Sequence, residues 1–489
     1  MTVAWRRLLP SWPLIVGLAA FARAVANPKA LLGDPDTYLH LAAGRWMIEH
    51  RAMPSADPFS HSLAGAHWVI HEWLSEVVMA AVYAAGGWRG LVLLTAACFA
   101  LGAALLTRGV LRRAEPLTAL ILAMGGVALF LPHLLARAHI LALPVSVAWC
   151  AALFAARDEG KEPPYAVLPL MLLWANLYGG FMFGLALAAY LALEAVVFPA
   201  ASRGRLGELW CWAAFVLLAA ALSFATPNGI AGFLQPIRMA QMPVLQATFN
   251  EWQATDFSQF QPLELWILGP ILLGFTTGVR LPLSRLALVL VLIHLALVHA
   301  RHADLLGFVG PLAVAGALGP QIVERMGGKT RSSLGDLLAR LTPPAPWPAL
   351  GAVVIACLLI AVAAMPRPIT RGDDDITPLS ALDAAEKLGL SGPVFNSEAF
   401  GGYLIFRGVP SFIDGRIEMY GDDFLKSYMA ESGGSEPALT NMLARYHIAW
   451  TLLLPGDGAA GALDHLAGWK RVYADKWAVV HTRTDGAAP

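Results

Sequence analysis

The feature that most constrains this chain is how its charges are sorted between long apolar runs. The runs lie near 13–30, 88–107, 116–132, 139–156, 165–177, 181–199, 209–225, 262–279, 284–299, 304–320 and 348–365. Most approach the roughly 20 helical residues needed to cross a hydrocarbon core of about 30 Å. The prediction is therefore about eleven transmembrane helices. Basic residues fall on alternate connections: Arg6 and Arg7; Arg108, Arg112 and Arg113; Arg157 and Lys161; Arg203 and Arg205; Arg280 and Arg285; then Arg325, Lys329, Arg331 and Arg340. Loops rich in Lys and Arg stay on the cytoplasmic side. This puts the N-terminus inside and leaves Asp34, Asp36, His67, His71, Glu72, His139, Asn250, Glu251, His302 and Asp304 on the opposite face. Titratable side chains gathered outside the bilayer point to chemistry there.

Composition agrees. The chain is 57% hydrophobic and 14% charged, outside the range of a soluble domain. The formal net charge of zero removes any bulk pull toward nucleic acid, so none is expected as a partner. Cys98, Cys150, Cys211 and Cys357 all lie within apolar runs, which reads as buried thiols, not a disulfide framework. Arg6-Arg7, an apolar run and Ala24-Val25-Ala26 have the layout of a signal peptide. An uncleaved first helix is preferred, because cleavage would leave an odd number of later spans to place.

Residues 69–86 are apolar yet carry His71, Glu72 and Glu76. Charges at mid-membrane cost several kcal/mol, so this stretch reads as an amphipathic helix on the outer surface. The expected domains are then a membrane domain, 1–365, with a first outer loop at 31–87 and another at 226–261, and a C-terminal extracytoplasmic α/β domain, 366–489. In the latter, strand-like runs at 393–395, 403–406, 411–413, 448–454 and 477–481 alternate with helical stretches near 378–388, 423–430, 436–446 and 459–467. The segment 321–346 reads as a cytoplasmic linker.

The sharpest motif is Gly33-Asp34-Pro35-Asp36-Thr37-Tyr38-Leu39-His40. Two carboxylates two apart on a proline-stiffened segment suit a general base, or a ligand pair for a divalent cation (Mg or Mn). The alternative is a solvated loop in which Asp36 caps the following helix. Arg137 and Arg301, each at the outer end of a predicted span, are candidates for binding phosphate through the guanidinium fork. His139 and His302 stand beside them. The alternative is that both arginines snorkel to lipid headgroups. His67, His71, Glu72 and Glu76 form a stripe at helical spacing. It is either the polar face of the surface helix or a site lining in which His67 and His71 share a metal. Asn250-Glu251-Trp252 offers an indole beside amide and acidic groups, which suits a sugar ring, or an interfacial anchor. Asn176 and Tyr178 end a span. Asp414-Gly415-Arg416 reads as a fold motif at a turn.

This layout resembles the GT-C superfamily of integral-membrane glycosyltransferases, which includes protein mannosyltransferases, oligosaccharyltransferases and lipid A aminoarabinose transferases. The resemblance rests on Asp34-Pro35-Asp36 in a long first outer loop, an interfacial helix in the same loop, about eleven spans and the C-terminal domain. Gly44-Arg45-Trp46, Pro54, Asp57-Pro58-Phe59-Ser60, Trp68, His71-Glu72-Trp73-Leu74 and Gly86-Gly87 also resemble a bacterial group of GT-C-like membrane proteins. So do Phe395-Asn396, Gly401-Gly402-Tyr403-Leu404 and Phe412-Ile413-Asp414-Gly415-Arg416 in the tail. The tail has no Trp-Trp-Asp-Tyr-Gly motif, so the resemblance does not extend to transfer onto Asn-x-Ser/Thr sequons.

The resemblance implies transfer of a sugar from a polyprenyl-phosphate-linked donor to a glycan, lipid or protein acceptor, at the outer face of a bacterial inner membrane. Asp34 and Asp36 are the expected catalytic residues or metal ligands. Arg137, His139, Arg301 and His302 are expected to bind the donor phosphate, and His40, Arg45, His71, Glu72, Asn250, Glu251 and Trp252 the sugar or acceptor. Asp34, Asp36, Arg137 and Arg301 are expected to converge on one cavity. A polytopic transporter or flippase of lipid-linked substrates is the competing class, and a non-catalytic accessory subunit a third. A transporter would place charges at mid-membrane on broken helices, where this chain has few besides Glu194 and His294.

Overall fold

The computed structural model describes residues 10–200, 203–325, 338–365 and 367–484. Arg6, Arg7, Lys329 and Arg331, which entered the orientation argument, lie outside them. The chain forms two compact units. One comprises Met1–Leu31, Val92–Gly229 and Thr248–Arg367; the other comprises Leu32–Leu91, Ile230–Ala247 and Pro368–Pro489. The first loop thus clusters with the tail.

Six helices among the described residues are long and apolar enough to cross a membrane: Trp73–Leu111, Pro116–His133, Ala138–Asp158, Gly204–Ser223, Ala300–Glu324 and Trp347–Ala364. Shorter apolar helices span Trp12–Val25, Tyr165–Leu177, Phe181–Val197, Pro262–Thr277 and Leu283–Val298. Together they fall on the apolar runs read from the sequence. The fold is that of a polytopic helical membrane protein, as lipid demands: without water, each backbone N–H and C=O must be satisfied within its own segment.

Close approach through small residues packs the first unit. A Cβ on Gly126 would strike the Gly307 carbonyl, so the helices carrying these two glycines touch backbone to backbone. Buried indoles find acceptors across helices: Trp149 Nε1 donates to Gly184 O at 3.1 Å and Trp266 Nε1 to Gly125 O at 3.0 Å. Glu194, which interrupts an apolar run, is paired with Arg285 at 3.1 Å and Arg157 at 3.5 Å. Asp158 joins the same cluster through Arg285 at 2.9 Å and Arg113 at 3.4 Å. Glu194 is thus part of an ion-pair network with the basic residues that follow the spans, not an isolated mid-span charge.

The helix Trp73–Leu111 is interrupted at Gly87 (φ 58°, ψ −151°), a conformation that glycine alone tolerates well. The break falls where the amphipathic stretch was expected to end and the apolar run to begin. Upstream, one expectation fails. Residues 67–72 are not helical: His67 bridges to Ala56, and the helix starts only at Trp73. His67 and His71 therefore do not form a helical stripe.

The second unit contains a four-stranded sheet: β1 (Val394–Asn396), β2 (Trp450–Leu453), β3 (Trp469–Ala474) and β4 (Val479–Arg483), in the order β1-β2-β4-β3. β1 and β2 are parallel and the other pairs antiparallel. Helices Leu379–Lys387, Glu398–Phe406, Ile417–Ser432, Glu436–Arg445 and Gly458–Leu463 alternate with the strands. Two expected strands are corrected. Tyr403–Phe406 is the end of a helix, whose glycines allow tight packing: a Cβ on Gly402 would sit 2.5 Å from Pro35 O. Ser411–Ile413 pairs only through an isolated bridge from Ser411 to Ser60.

The core of this unit is shared between the first loop and the tail. Tyr38, from helix Asp36–His50, is buried among Leu382, Phe400, Tyr403, Leu404 and Trp450. Its ring meets Trp88 at 5.3 Å and Tyr403 at 5.1 Å edge-on, and its hydroxyl hydrogen-bonds Thr377 Oγ1 at 2.9 Å.

Candidate functional site

Functional-type side chains gather in two places, one in each unit. In the second unit, Asp34 and Asp36 flank Pro35 at the start of helix Asp36–His50. Their roles divide. Asp34 is buried, and its Oδ1 accepts the Asp36 backbone N–H at 2.8 Å. Asp34, one residue before the N-cap Pro35, thus receives the N–H of the first helical residue. Asp36 is the first residue of the helix, where the macrodipole favours negative charge. Its Oδ1 lies over Gly415, so close that a Cβ there would overlap it. Gly401 likewise packs on Ile413 O and Asp414. Asp36 thus rests against the glycine-bearing segments of the tail.

One turn on, His40 is buried. Its Nδ1 hydrogen-bonds Glu76 Oε1 at 3.2 Å, and its Nε2 lies 3.7 Å from Glu72 Oε2. Burial pulls the imidazole's pKa down, but the Glu76 hydrogen bond and the Glu72 and Glu76 charges outweigh it and hold it up at about 9. Gly44 allows the two helices to meet, since a Cβ there would strike Glu76 O. His71 lies 3.6 Å from Glu72, while His67 turns to Ser55 O at 3.1 Å. Arg45 donates to Phe406 O at 3.1 Å and lies over its ring.

Beneath this, Arg416 is 3% exposed between two fully buried carboxylates. It donates to Asp414 through Nε and Nη2, each at 2.7 Å, and to Asp57 through Nη1 at 2.5 Å. Tyr420 and Ser411 also donate to Asp414, and Ser60 donates to Asp57. The Trp68 and Phe59 rings lie 4.7 and 5.3 Å from the guanidinium. Burial works to raise the Asp414 carboxyl, but Arg416 and Tyr420 hold it below the usual range.

In the first unit, Arg137 and Arg301 share one carboxylate. Arg137 Nη1 donates to Glu251 Oε2 at 3.4 Å, and Arg301 Nη1 donates to Glu251 Oε1 at 3.1 Å. Arg301 also donates to the Tyr178 hydroxyl at 3.0 Å and sits 4.4 Å over the Trp252 ring. Arg137 immediately precedes helix Ala138–Asp158, and Glu251 and Trp252 lie on the 3-10 turn Asn250–Trp252. The Asn250 side chain is outside the described residues. His139 Nε2 bonds His133 O at 3.0 Å, His133 Nδ1 bonds Asp304 Oδ1 at 3.1 Å, and His302 packs edge-on against Trp252 and Phe183. Glu251 is half-buried, which works to raise its pKa; the two guanidiniums reverse this and hold it low.

The structure thus brings Arg137, Arg301, Glu251 and Trp252 together, with His139 and His302 at the edge. Tyr178, which the sequence left between capping and cavity, is a direct partner of Arg301. His133 was missed, although its position six residues before His139, at the same span end, was a usable signal. Among the described residues, no group of three or more His, Cys, Asp or Glu side chains is arranged to hold a metal ion.

No protein-family model matches the chain, and no curated protein matches it in sequence. Solved structures do. The archaeal oligosaccharyltransferase AglB from Archaeoglobus fulgidus, in complex with an inhibitory peptide and a dolichol-phosphate, aligns with a TM-score of 0.54 at 12% identity, over 98% of this chain and 75% of that one. The A. fulgidus oligosaccharyltransferase tethered with an acceptor peptide containing the NVT sequon aligns at 0.53 and 12% identity, over 90% of this chain and 69% of that one. In its apo form the score is 0.51, with the same identity and coverage. At this identity the likeness is one of fold: the chain shares the fold of these oligosaccharyltransferase structures, with its apolar helices followed by a small α/β domain.

Proposed function

We propose that this protein is a membrane glycosyltransferase that moves a sugar from a polyprenyl-phosphate-linked donor to an acceptor at the outer face of a bacterial inner membrane, its N-terminus cytoplasmic and its C-terminal domain periplasmic. The observation that carries the reading is the arginine pair: two guanidiniums brought onto one small anion, beside an indole and a tyrosine hydroxyl, at the ends of apolar helices. Guanidinium forks suit phosphate oxygens, and an indole suits the apolar face of a sugar ring. The dolichol-phosphate held by a protein of the same fold is consistent with such a ligand.

In this reading the acceptor hydroxyl attacks the anomeric carbon and passes its proton to a carboxylate base. The C–O bond to the phosphate breaks, and Arg137 and Arg301 stabilise the charge that develops on the phosphate oxygens. Asp36 is the preferred base because it opens the segment that runs into Tyr38, His40 and Arg45. His40 supports the base's segment instead of touching the sugar, and Arg45, His71 and Glu72 remain acceptor-side candidates. A divalent cation at Asp36 would supply charge stabilisation; EDTA treatment followed by Mg or Mn addition tests for one.

The deciding experiment is mass spectrometry of lipids that co-purify with the protein. Recovery of a polyprenyl-phosphate-linked sugar from wild type, and its loss from Arg301→Gln, supports the reading. Absence of such a lipid, together with no transfer from an added polyprenyl-phosphate sugar, overturns it.

A further inference from the structure

We infer that Glu251 is a built-in stand-in for the donor phosphate: its carboxylate holds the two guanidiniums until an incoming phosphate displaces it. The inference rests on the phosphate-binding reading above and concerns what occupies that site beforehand.

Glu251 gives one oxygen to each arginine, the pattern two non-bridging phosphate oxygens would reproduce. The bonds are loose. At 3.4 and 3.1 Å they are longer than the about 2.7–2.9 Å of a strong charge-assisted pair. Glu251 is also the most exposed member, at 36% against 25% for Arg137 and 21% for Arg301.

Arg301 does not depend on the glutamate for its position. Arg301 is separately fixed by the Tyr178 hydroxyl and the Trp252 ring. Trp252 is itself anchored, because its backbone carbonyl accepts from His299 Nδ1 at 2.5 Å. Rotation of the Glu251 side chain alone would open the site, with the turn left in place. A phosphate carries more charge than the carboxylate it would replace, so its attraction to the same two guanidiniums is stronger.

The consequence has an unusual sign: removing a charged contact should improve binding. Apparent affinity falls by the fraction of molecules in the competent state. A pair closed about nine-tenths of the time would therefore bind about tenfold more weakly than one that cannot close. The test uses the full-length protein in detergent with farnesyl phosphate as probe and inorganic phosphate as a second probe. Wild type is compared with Glu251→Gln, Glu251→Ala, Arg301→Gln and Asp304→Asn.

The expected result is tightening by about tenfold in both Glu251 variants, loss of binding in Arg301→Gln, and little change in Asp304→Asn. A gain confined to farnesyl phosphate identifies a lipid headgroup as the occupant; an equal gain for inorganic phosphate identifies the free anion. Unchanged or weaker binding in both Glu251 variants, with Arg301→Gln still defective, overturns the displacement and leaves the phosphate site standing. Equal tightening in Asp304→Asn also overturns it, since mere loss of negative charge would then suffice. Wild-type affinity in Arg301→Gln removes the phosphate reading itself.

Discussion

Two arginine–carboxylate clusters in this molecule are opposite in stoichiometry. At Arg416 one guanidinium serves two carboxylates, all buried, with contacts of 2.5–2.7 Å. At Glu251 one carboxylate serves two guanidiniums, partly exposed, with contacts of 3.1–3.4 Å. The first closes on itself: Tyr420, Ser411 and Ser60 add hydrogen bonds to the carboxylates, and aromatic rings cover the guanidinium. A buried charge set of this kind is tolerable only when fully partnered, so it fixes a fold. The second is more loosely bonded and reachable. That combination leaves interaction energy for a ligand.

The largest effect should come from breaking the sealed cluster. Arg416→Ala leaves Asp57 and Asp414 buried without a counter-ion and should destabilise the protein by about 3–5 kcal/mol. Thermal melting or limited proteolysis reads this, and a variant that melts like wild type would undo the contrast. Asp36→Asn should come next, lowering transfer about 10²–10⁴-fold while melting stays near wild type. Asp34→Asn keeps a capping oxygen and should cost far less activity.

Arg301→Gln should reduce transfer about 10²–10³-fold, in line with loss of one oxyanion donor. Its effect on melting should stay below that of Arg416→Ala, since its cluster is the more exposed of the two. Equal destabilisation by Arg301→Gln and Arg416→Ala would erase the distinction between the clusters. Gly415→Ala changes no charge, yet its methyl must displace Asp36. Partial loss of transfer with normal donor binding is expected. The smallest effect concerns pH. His40 is raised from 6.5 to about 9, so its contribution to stability is complete below pH 6.5 and lost as pH rises through about 9. Wild type should lose melting temperature across that window more than His40→Gln does.

The apolar helices were legible because lipid sets their length and bars charge from their middles. Strands β1, β2 and β4 were legible as short apolar runs between turns. β3 was not: Trp469–Ala474 carries Lys470 and Arg471 and lies at the sheet edge, so it lacks an apolar signature. Tyr403-Leu404-Ile405-Phe406 has strand-like composition, but it continues a helix begun at Glu398, whose Gly402 packs on Pro35 O. Arg137, Arg301, Glu251 and Trp252 stood out singly at span ends. Their union did not, because nothing local in a sequence pairs residue 251 with both 137 and 301. The partnership of Asp57 with Arg416 was hidden for the same reason.

The Asp57–Arg416 contact joins residues 359 positions apart, and this sets an order of events during synthesis. The first loop emerges with Asp57 and Tyr38 long before Arg416, Tyr403 and Trp450 exist to enclose them. Such non-local closure is slow, and an unfinished apolar surface is prone to wrong partners. A chain truncated before the tail would therefore lack the enclosure around its own N-terminal loop, including the glycine that receives Asp36. Completion of the last segment thus acts as a checkpoint on the first: a half-made protein carries the acidic motif without the packing that holds it in place.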